Sequence, residues 1–416
     1  MYLRGNKWAM TKRPRRRSSP WRILLLLAAI AGLLYINQVI VPATPPLFIP
    51  TPTPTQSPES FVNQGEEYFR QGKLTLAINA YKEAINSDPQ NPTNYIALAR
   101  LQVFAGQFEE AIKNSQNALL KNPENPMAHA IQGWALGFQE KYGEAERAIK
   151  KALELDPNNA LAHAYYAEIL INQGDYTLFD KAIEESKKAR DLDPSLLETH
   201  RARGIVLLNT QNVEEAVEEF QTALAINKNI ADLYLNLGVA YKLLEDFDLA
   251  QEALLASYAL NPSDTIALTE LSRSFFADGR FPQAAQYAEE AIKVNPTDPR
   301  LHGNLGVIYY KLEDYPKAIP ELALATSGGQ TADGQTVEGL PLEYGRVMEY
   351  YWYLGFALAR SSRCVEAVPI FQKLLTDVSN DEIAVFNANQ GLEICAESLK
   401  NPLPTPTPTE LVTPTP

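Results

Sequence analysis

Reactive side chains are scarce in this chain: four histidines and two cysteines among 416 residues. Two cysteines with no neighbouring histidine cannot complete a zinc site. There is no phosphate loop, no Gly-x-Ser-x-Gly and no His-Glu-x-x-His, so the familiar nucleotide, acyl-transfer and zinc-hydrolase centres are excluded. Carboxylates are plentiful, but their pattern puts them on solvent faces of helices with no sign of convergence. No long segment is left for a second domain. These absences predict a non-enzymatic chain with no cofactor and no metal.

Acidic residues are missing altogether from the first 22 positions, which hold eight Lys/Arg (Arg4, Lys7, Lys12, Arg13, Arg15, Arg16, Arg17 and Arg22). Beyond them the bias reverses: 29 Lys/Arg stand against 50 Asp/Glu, a net charge of −21. That surplus opposes nucleic acid and anionic lipid, and suits neutral or basic partners. After the basic segment, Ile23–Val41 is apolar except for Asn37 and Gln38, and Pro42 ends it. Nineteen helical residues span about 28 Å, enough to cross a bilayer core. Basic residues before the span predict a cytoplasmic N-terminus and an extracytoplasmic remainder. The competing reading is a signal peptide cleaved near Ala43.

Positions 42–57 and 400–416 are Pro/Thr-rich, as in Pro50-Thr51-Pro52-Thr53-Pro54-Thr55. Such tracts are extended, semi-rigid spacers, and the first could stand the rest of the chain roughly 50 Å from a membrane. Their composition suggests a bacterial envelope protein.

Between these tracts a period of 34 residues dominates. Small residues recur at Gly65, Ala99, Gly133, Ala167, Gly204, Gly238, Ser272, Gly306 and Gly355. Alanines keep step at Ala77, Ala111, Ala145, Ala182, Ala216, Ala250, Ala284, Ala318 and Ala367. Asp-Pro or Asn-Pro closes most units, as at Asp88-Pro89 and Asn295-Pro296. Apolar spacing within a unit is helical on both sides of a break, as at Glu245-Asp246. Each unit is therefore a helical hairpin whose small residue and alanine face one another. Proline stops its second helix, since it lacks an N–H and disfavours helix in the residue before it. Repetition at this period means a solenoid, which offers a surface rather than a reaction centre.

The marks Gly65, Tyr68, Gly72, Leu74, Ala77, Tyr81, Ala84 and Pro89 resemble the tetratricopeptide repeat, and the resemblance covers residues 58–398. It implies an all-α, right-handed superhelical solenoid of about nine helix-turn-helix units plus a C-terminal capping helix. The expected organisation is a basic cytoplasmic segment (1–22), a transmembrane anchor (23–41), a linker (42–57), units 1–8 (58–325), an insertion loop (326–347), unit 9 with the cap (348–399) and a tail (400–416). Three departures stand out: three extra residues between Tyr176 and Ala182, Lys228 where proline is expected, and the Gly-rich insertion, which reads as a plain loop.

In this family the first helices line a concave groove, where a protein or peptide binds. The residues this places on the groove in units two to four are Ile96, Arg100, Phe104, Met127, Ile131, Trp134, Phe138 and Tyr165, either as ligand contacts or as packing between units. Trp134 and Phe138 are four apart and share one helix face. Further on the face turns polar, with Asn236, Lys242, Glu270, Arg273, Arg300, Asn304 and Lys311. Asn63, Asn236, Asn304 and Asn387 share one slot, similar to a backbone-reading asparagine ladder but interrupted in other units.

All four histidines (His129, His163, His200 and His302) occupy the fourth slot of a unit, which Tyr95 and Tyr234 fill elsewhere. Equivalent positions in stacked helices lie about 10 Å apart, too far for a shared metal, so packing between units is expected. Cys364 and Cys395 fall at the same end of adjacent layers, which predicts a disulfide stapling the cap; two buried free thiols are the alternative. The whole reads as a membrane-anchored scaffold that binds protein outside the cell membrane, or else as an accessory subunit positioning a separate envelope enzyme or glycan.

Overall fold

The structure, a computed structural model, describes residues 19–40 and 57–400. The basic cluster before residue 19 and the Pro/Thr-rich tracts at 41–56 and 401–416 lie outside the described residues. The N-terminal part is a helix over Pro20–Tyr35 that widens into a π turn at Ile36–Ile40. Pro20 begins it without sacrificing a hydrogen bond, because the first-turn N–H has no helical acceptor. Its stretch Pro20–Val39 is long and apolar enough to cross a membrane.

The second part is a stack of helical hairpins. Their paired helices are Pro58–Arg70 with Leu74–Ser87, Pro92–Phe104 with Phe108–Lys121, Pro126–Phe138 with Tyr142–Leu155, and Ala160–Asn172 with Phe179–Leu192. Then follow Leu197–Asn209 with Val213–Ile226, Ala231–Leu243 with Phe247–Leu260, and Thr265–Ala277 with Phe281–Val294. Pro299–Lys311 with Tyr315–Ser327 and Arg346–Arg360 with Cys364–Asp377 complete nine units, and Glu382–Lys400 caps them.

The unit boundaries follow from local chemistry. The Asp or Asn before the closing proline ends one helix, and a second Asp or Asn three residues later caps the next. Asn91, Asn125, Asp264 and Asp298 each accept from a backbone N–H of the following turn. Between the two helices of each unit one residue takes a left-handed conformation. Glycine supplies it at Gly72, Gly106, Gly174 and Gly279; Glu140, Gln211, Glu245, Glu313 and Ser362 adopt it with a side chain.

The periodic glycines face the stretch that begins at the periodic alanine: a Cβ on Gly133 or Gly238 would fall 3.0 or 3.1 Å from the carbonyl of Ala145 or Ala250. A Cβ on Gly65, Gly133, Gly204, Gly238, Gly306 or Gly355 would fall 2.5–2.7 Å from Tyr81, Ile149, Phe220, Leu254, Leu322 or Phe371. The nearest side chain is thus the large residue sixteen positions on, one turn beyond the alanine. Where the slot is not glycine the partner can shrink: Ala99 sits opposite Ser115 in sequence register, and Ser272 opposite Ala288. The Ser272 hydroxyl then donates to the Ala284 carbonyl at 2.8 Å.

Two sequence departures have structural explanations. The three extra residues of unit 4 form a short 3-10 turn, Tyr176–Leu178, capped by the Asp175 carboxylate. The Gly-rich insertion is not a plain loop. Gly329–Gln330 pairs antiparallel with Thr336–Val337, Val337 is buried, and the Tyr351 hydroxyl donates to the Leu340 carbonyl at 2.7 Å.

The superhelix closes on itself after one turn. Asn227 and Asn229, in the unit that carries Lys228 in place of proline, donate from Nδ2 to the carbonyls of Phe69 (3.3 Å) and Arg70 (2.7 Å) in unit 1. A Cβ on Gly72 would meet Asn229 at 2.6 Å. Inside this turn Arg100 of unit 2 pairs with Glu198 of unit 5.

Candidate functional site

The first helices of units 2–5 do not present the open groove expected of them. Ile131, Trp134 and Tyr165 are buried, and Ile96, Arg100, Phe104, Met127 and Phe138 are half-buried. Trp134 stacks on Tyr165 with centroids 4.2 Å apart, and Phe104 meets its edge at 5.3 Å. The Trp134 Nε1–H donates to Glu168 at 2.7 Å. Tight curvature is the cause. The first helices of units 3 and 4 carry small residues (Ala128, Ala130, Gly133 and Gly137; Ala160, Ala162, Ala164 and Ala167) that let successive first helices pack directly. A Cβ on Gly137 would fall 2.7 Å from Ile169. This Ala/Gly density was the sequence signal for closure.

Charge inside the turn is paired. Arg201 bridges Glu168 and Asp232, and its guanidinium lies 5.6 Å from the Trp134 ring. Burial raises the Glu168 pKa against the pull of Arg201. Burial opposes the charge on Arg100 and Arg201, yet facing carboxylates more than offset it and both stay firmly protonated. Further along, Glu270 holds Lys242 and also Arg273, the latter at 2.7 Å. Although burial works against it, that pair of cations lowers its pKa.

The histidines tie each unit to the turn before it. His163, His200 and His302 place Nε2 2.8–3.0 Å from the carbonyls of Pro157, Pro194 and Pro296. Their Nδ1 atoms meet Glu185, Glu219 and Glu321 of the same unit's second helix. His129 keeps only the proline contact, and Tyr95 reaches Pro89 in the same way. Each of these three rings thus places one nitrogen against a backbone carbonyl and the other against a carboxylate.

Concave surface open to solvent appears on the first helices of units 8 and 9 and the cap. There a cavity of about 710 Å³ is lined by Tyr310, Lys311, Trp352, Tyr353, Phe356, Arg360, Ile383, Asn387, Gln390, Glu393, Ile394 and Glu397. Its floor is aromatic: Tyr310 lies 4.9 Å from Tyr353 and 6.3 Å from Phe356, centroid to centroid. Ile383 of its lining is 64% exposed, as is Phe386 on the same helix at 65%. The volume and mixed lining suit a ligand segment. Of these residues sequence reasoning had marked only Lys311, as part of a polar face, and Asn387, as part of an interrupted ladder. It missed the aromatics because Tyr353 and Phe356 follow the same helical spacing as core residues.

Cys364 and Cys395 lie behind this cavity with their Cα atoms 5.4 Å apart and their sulfurs bonded. The cap helix that forms one wall is thereby stapled to unit 9.

Sequence patterns of the tetratricopeptide repeat match residues 68–135, 128–159, 148–184, 209–244, 235–292 and 269–332. Hsp70-Hsp90 organizing protein 3 of Arabidopsis thaliana is 26% identical over 182 residues, covering 41% of this chain and 31% of that protein. BBSome complex member BBS4 of Bos taurus is 31% identical over 121 residues, covering 29% and 23%. The chain thus spans about a third or less of these two relatives. In the crystal structure of the APC/C hetero-tetramer Cut9-Hcn1, a chain 14% identical superposes with a TM-score of 0.54 over 89% of this chain and 82% of that one, which shows a common fold. With the repeat patterns recurring across most of the hairpin stack, this chain belongs to the tetratricopeptide repeat family.

Proposed function

We propose that the chain is a non-catalytic scaffold, held in a membrane by Pro20–Val39, that binds a protein or peptide in the cavity between units 8, 9 and the cap. The observation that carries the reading is the contrast along one concave face. Units 2–5 turn it inward and fill it, whereas half-buried Tyr310 and Tyr353, packed beside the buried Phe356, line a cavity that stays open to solvent on one side. Relatives named as an organizing protein and a complex member support a role in holding proteins together. The eight basic residues before the span support a cytoplasmic N-terminus and extracytoplasmic repeats. A disulfide between Cys364 and Cys395 supports that side of the membrane.

The test combines topology with capture. Protease added to intact cells or protoplasts should reach the repeats while the anchor fractionates with membranes. In-cell crosslinking should recover a stoichiometric protein partner, and Tyr353→Ala should abolish its recovery while leaving the helical circular dichroism unchanged. Repeats shielded from protease, or a partner retained by the variant, would overturn the corresponding half of the reading.

A further inference from the structure

Cations on the concave side of units 2–7 have carboxylates of their own. Arg100 has Glu198, Arg201 has Glu168 and Asp232, and Lys242 and Arg273 share Glu270. The two cations of the open cavity are different. Among the described residues neither Lys311 nor Arg360 has a carboxylate within 4 Å. Lys311 instead holds its ammonium 5.5 Å from the centre of the Tyr353 ring. The opposite wall, on the cap helix, carries Glu393 and Glu397, which likewise lack a cation within 4 Å.

Helix stability does not account for this arrangement. Lys311 and Arg360 end their helices, where the dipole favours a cation. Glu397, however, lies in the last turn of Glu382–Lys400, where the same dipole disfavours an anion. The cavity is thus polarised: positive on the wall built by units 8 and 9, negative on the cap, with aromatic rings between.

Resting on the reading of this cavity as the partner groove, we infer that its occupant is an extended peptide segment with an apolar or aromatic anchor, an acidic side chain on one flank and a basic side chain on the other. The anchor lies on Tyr310 and Tyr353. The acid faces Lys311 and Arg360, and the base faces Glu393 and Glu397. The polarity fixes the direction in which the segment lies, because reversing it sets like charges against one another. This matching is local to the cavity: the chain outside its basic segment carries a net −21, which by itself favours neutral or basic partners.

The test is a phage-displayed random-peptide library panned on the full oxidised chain in detergent micelles. Enriched peptides should share an aromatic or apolar residue flanked by opposite charges. The tightest should lose at least about tenfold in affinity to Lys311→Glu/Arg360→Glu. The same peptide with its acidic residue changed to Lys should regain affinity for that variant, a charge-swap rescue that misfolding cannot mimic. Enriched peptides without flanking charge, or a reversal that leaves affinity unchanged, would overturn the inference. Tyr353→Ala separates the two levels. If it abolishes binding that charge reversal does not affect, the groove stands and only its charge reading falls; if it leaves binding intact, the groove falls as well. Failure to enrich any peptide, with self-association of the chain that Tyr353→Ala relieves, would assign the cavity to a second copy and also overturn the inference.

Discussion

Asn229 donates its side-chain amide to the Arg70 carbonyl at 2.7 Å, joining residues 159 apart in sequence. Neighbour contacts alone cannot make such a bond in a solenoid. It exists because the superhelix returns unit 1 to the start of unit 6 within one turn, and because Gly72 leaves room for the asparagine.

Loss of this clasp should loosen one end of the array without unfolding it. Asn229→Ala removes a single neutral hydrogen bond, about 1 kcal/mol. Hydrogen exchange should accelerate at the unit 1 turn and in the first helix of unit 6, with little change in units 7–9. Gly72→Ala should cost more, about 1–3 kcal/mol, since its φ of +72° and the 2.6 Å approach of Asn229 both resist a Cβ. Unchanged exchange in both variants would refute the clasp.

Two aromatic truncations should behave oppositely. Trp134→Ala empties a fully buried stack and removes one of the hydrogen bonds to Glu168, so urea unfolding should show a loss of about 3–5 kcal/mol. Tyr353→Ala, at the half-buried floor of the open cavity, should leave most of the stability in place and remove partner binding. A mild effect for Trp134 would mean the inner wall opens in solution.

Stability should fall as pH rises past neutrality. The hydrogen bond to Glu219 raises the His200 pKa above its ordinary 6.5. Burial pulls the other way at His302, but the bond to Glu321 prevails and its pKa is raised too. A raised folded-state pKa stabilises fully below the unfolded value, and the contribution disappears as pH climbs through the folded one. Melting temperatures from pH 5.5 to 8.5 should therefore decline, and His200→Gln/His302→Gln should flatten the decline. An equally steep profile in the double variant would exclude these two rings.

Reduction should act on the cap first. The bond between Cys364 and Cys395 closes a loop of 31 residues, for which about 3 kcal/mol is expected. Reductant should raise proteolysis at the cap helix before units 1–8 respond, and thiol titration of the denatured, unreduced chain should find none free. Two titratable thiols would rule the bond out.

The repeat itself was readable without coordinates, because helix starts, stops and the glycine slot are local matters. Asn91 caps, Pro92 opens a helix and Gly65 leaves space whatever the rest of the chain does. The expected pairing of Cys364 with Cys395 was argued from the same period, which puts both at one end of adjacent layers. The large side chain that fills the glycine's space was not. Which one does so depends on the tilt between the two helices, and this sets Leu254, one turn beyond Ala250, against Gly238.

Sequence alone determined that this chain is a 34-residue helical array with an apolar N-terminal segment and little reactive chemistry. Tertiary structure alone decided which part of the concave face is a surface. Curvature accumulates over many units from small rotations at each interface, and a few Ala and Gly positions in units 3 and 4 tighten it enough to bury Trp134 and join Arg100 to Glu198. Nothing in one unit records that sum, so the same slot is core at Tyr165 and open floor at Tyr353 only once the whole turn has closed.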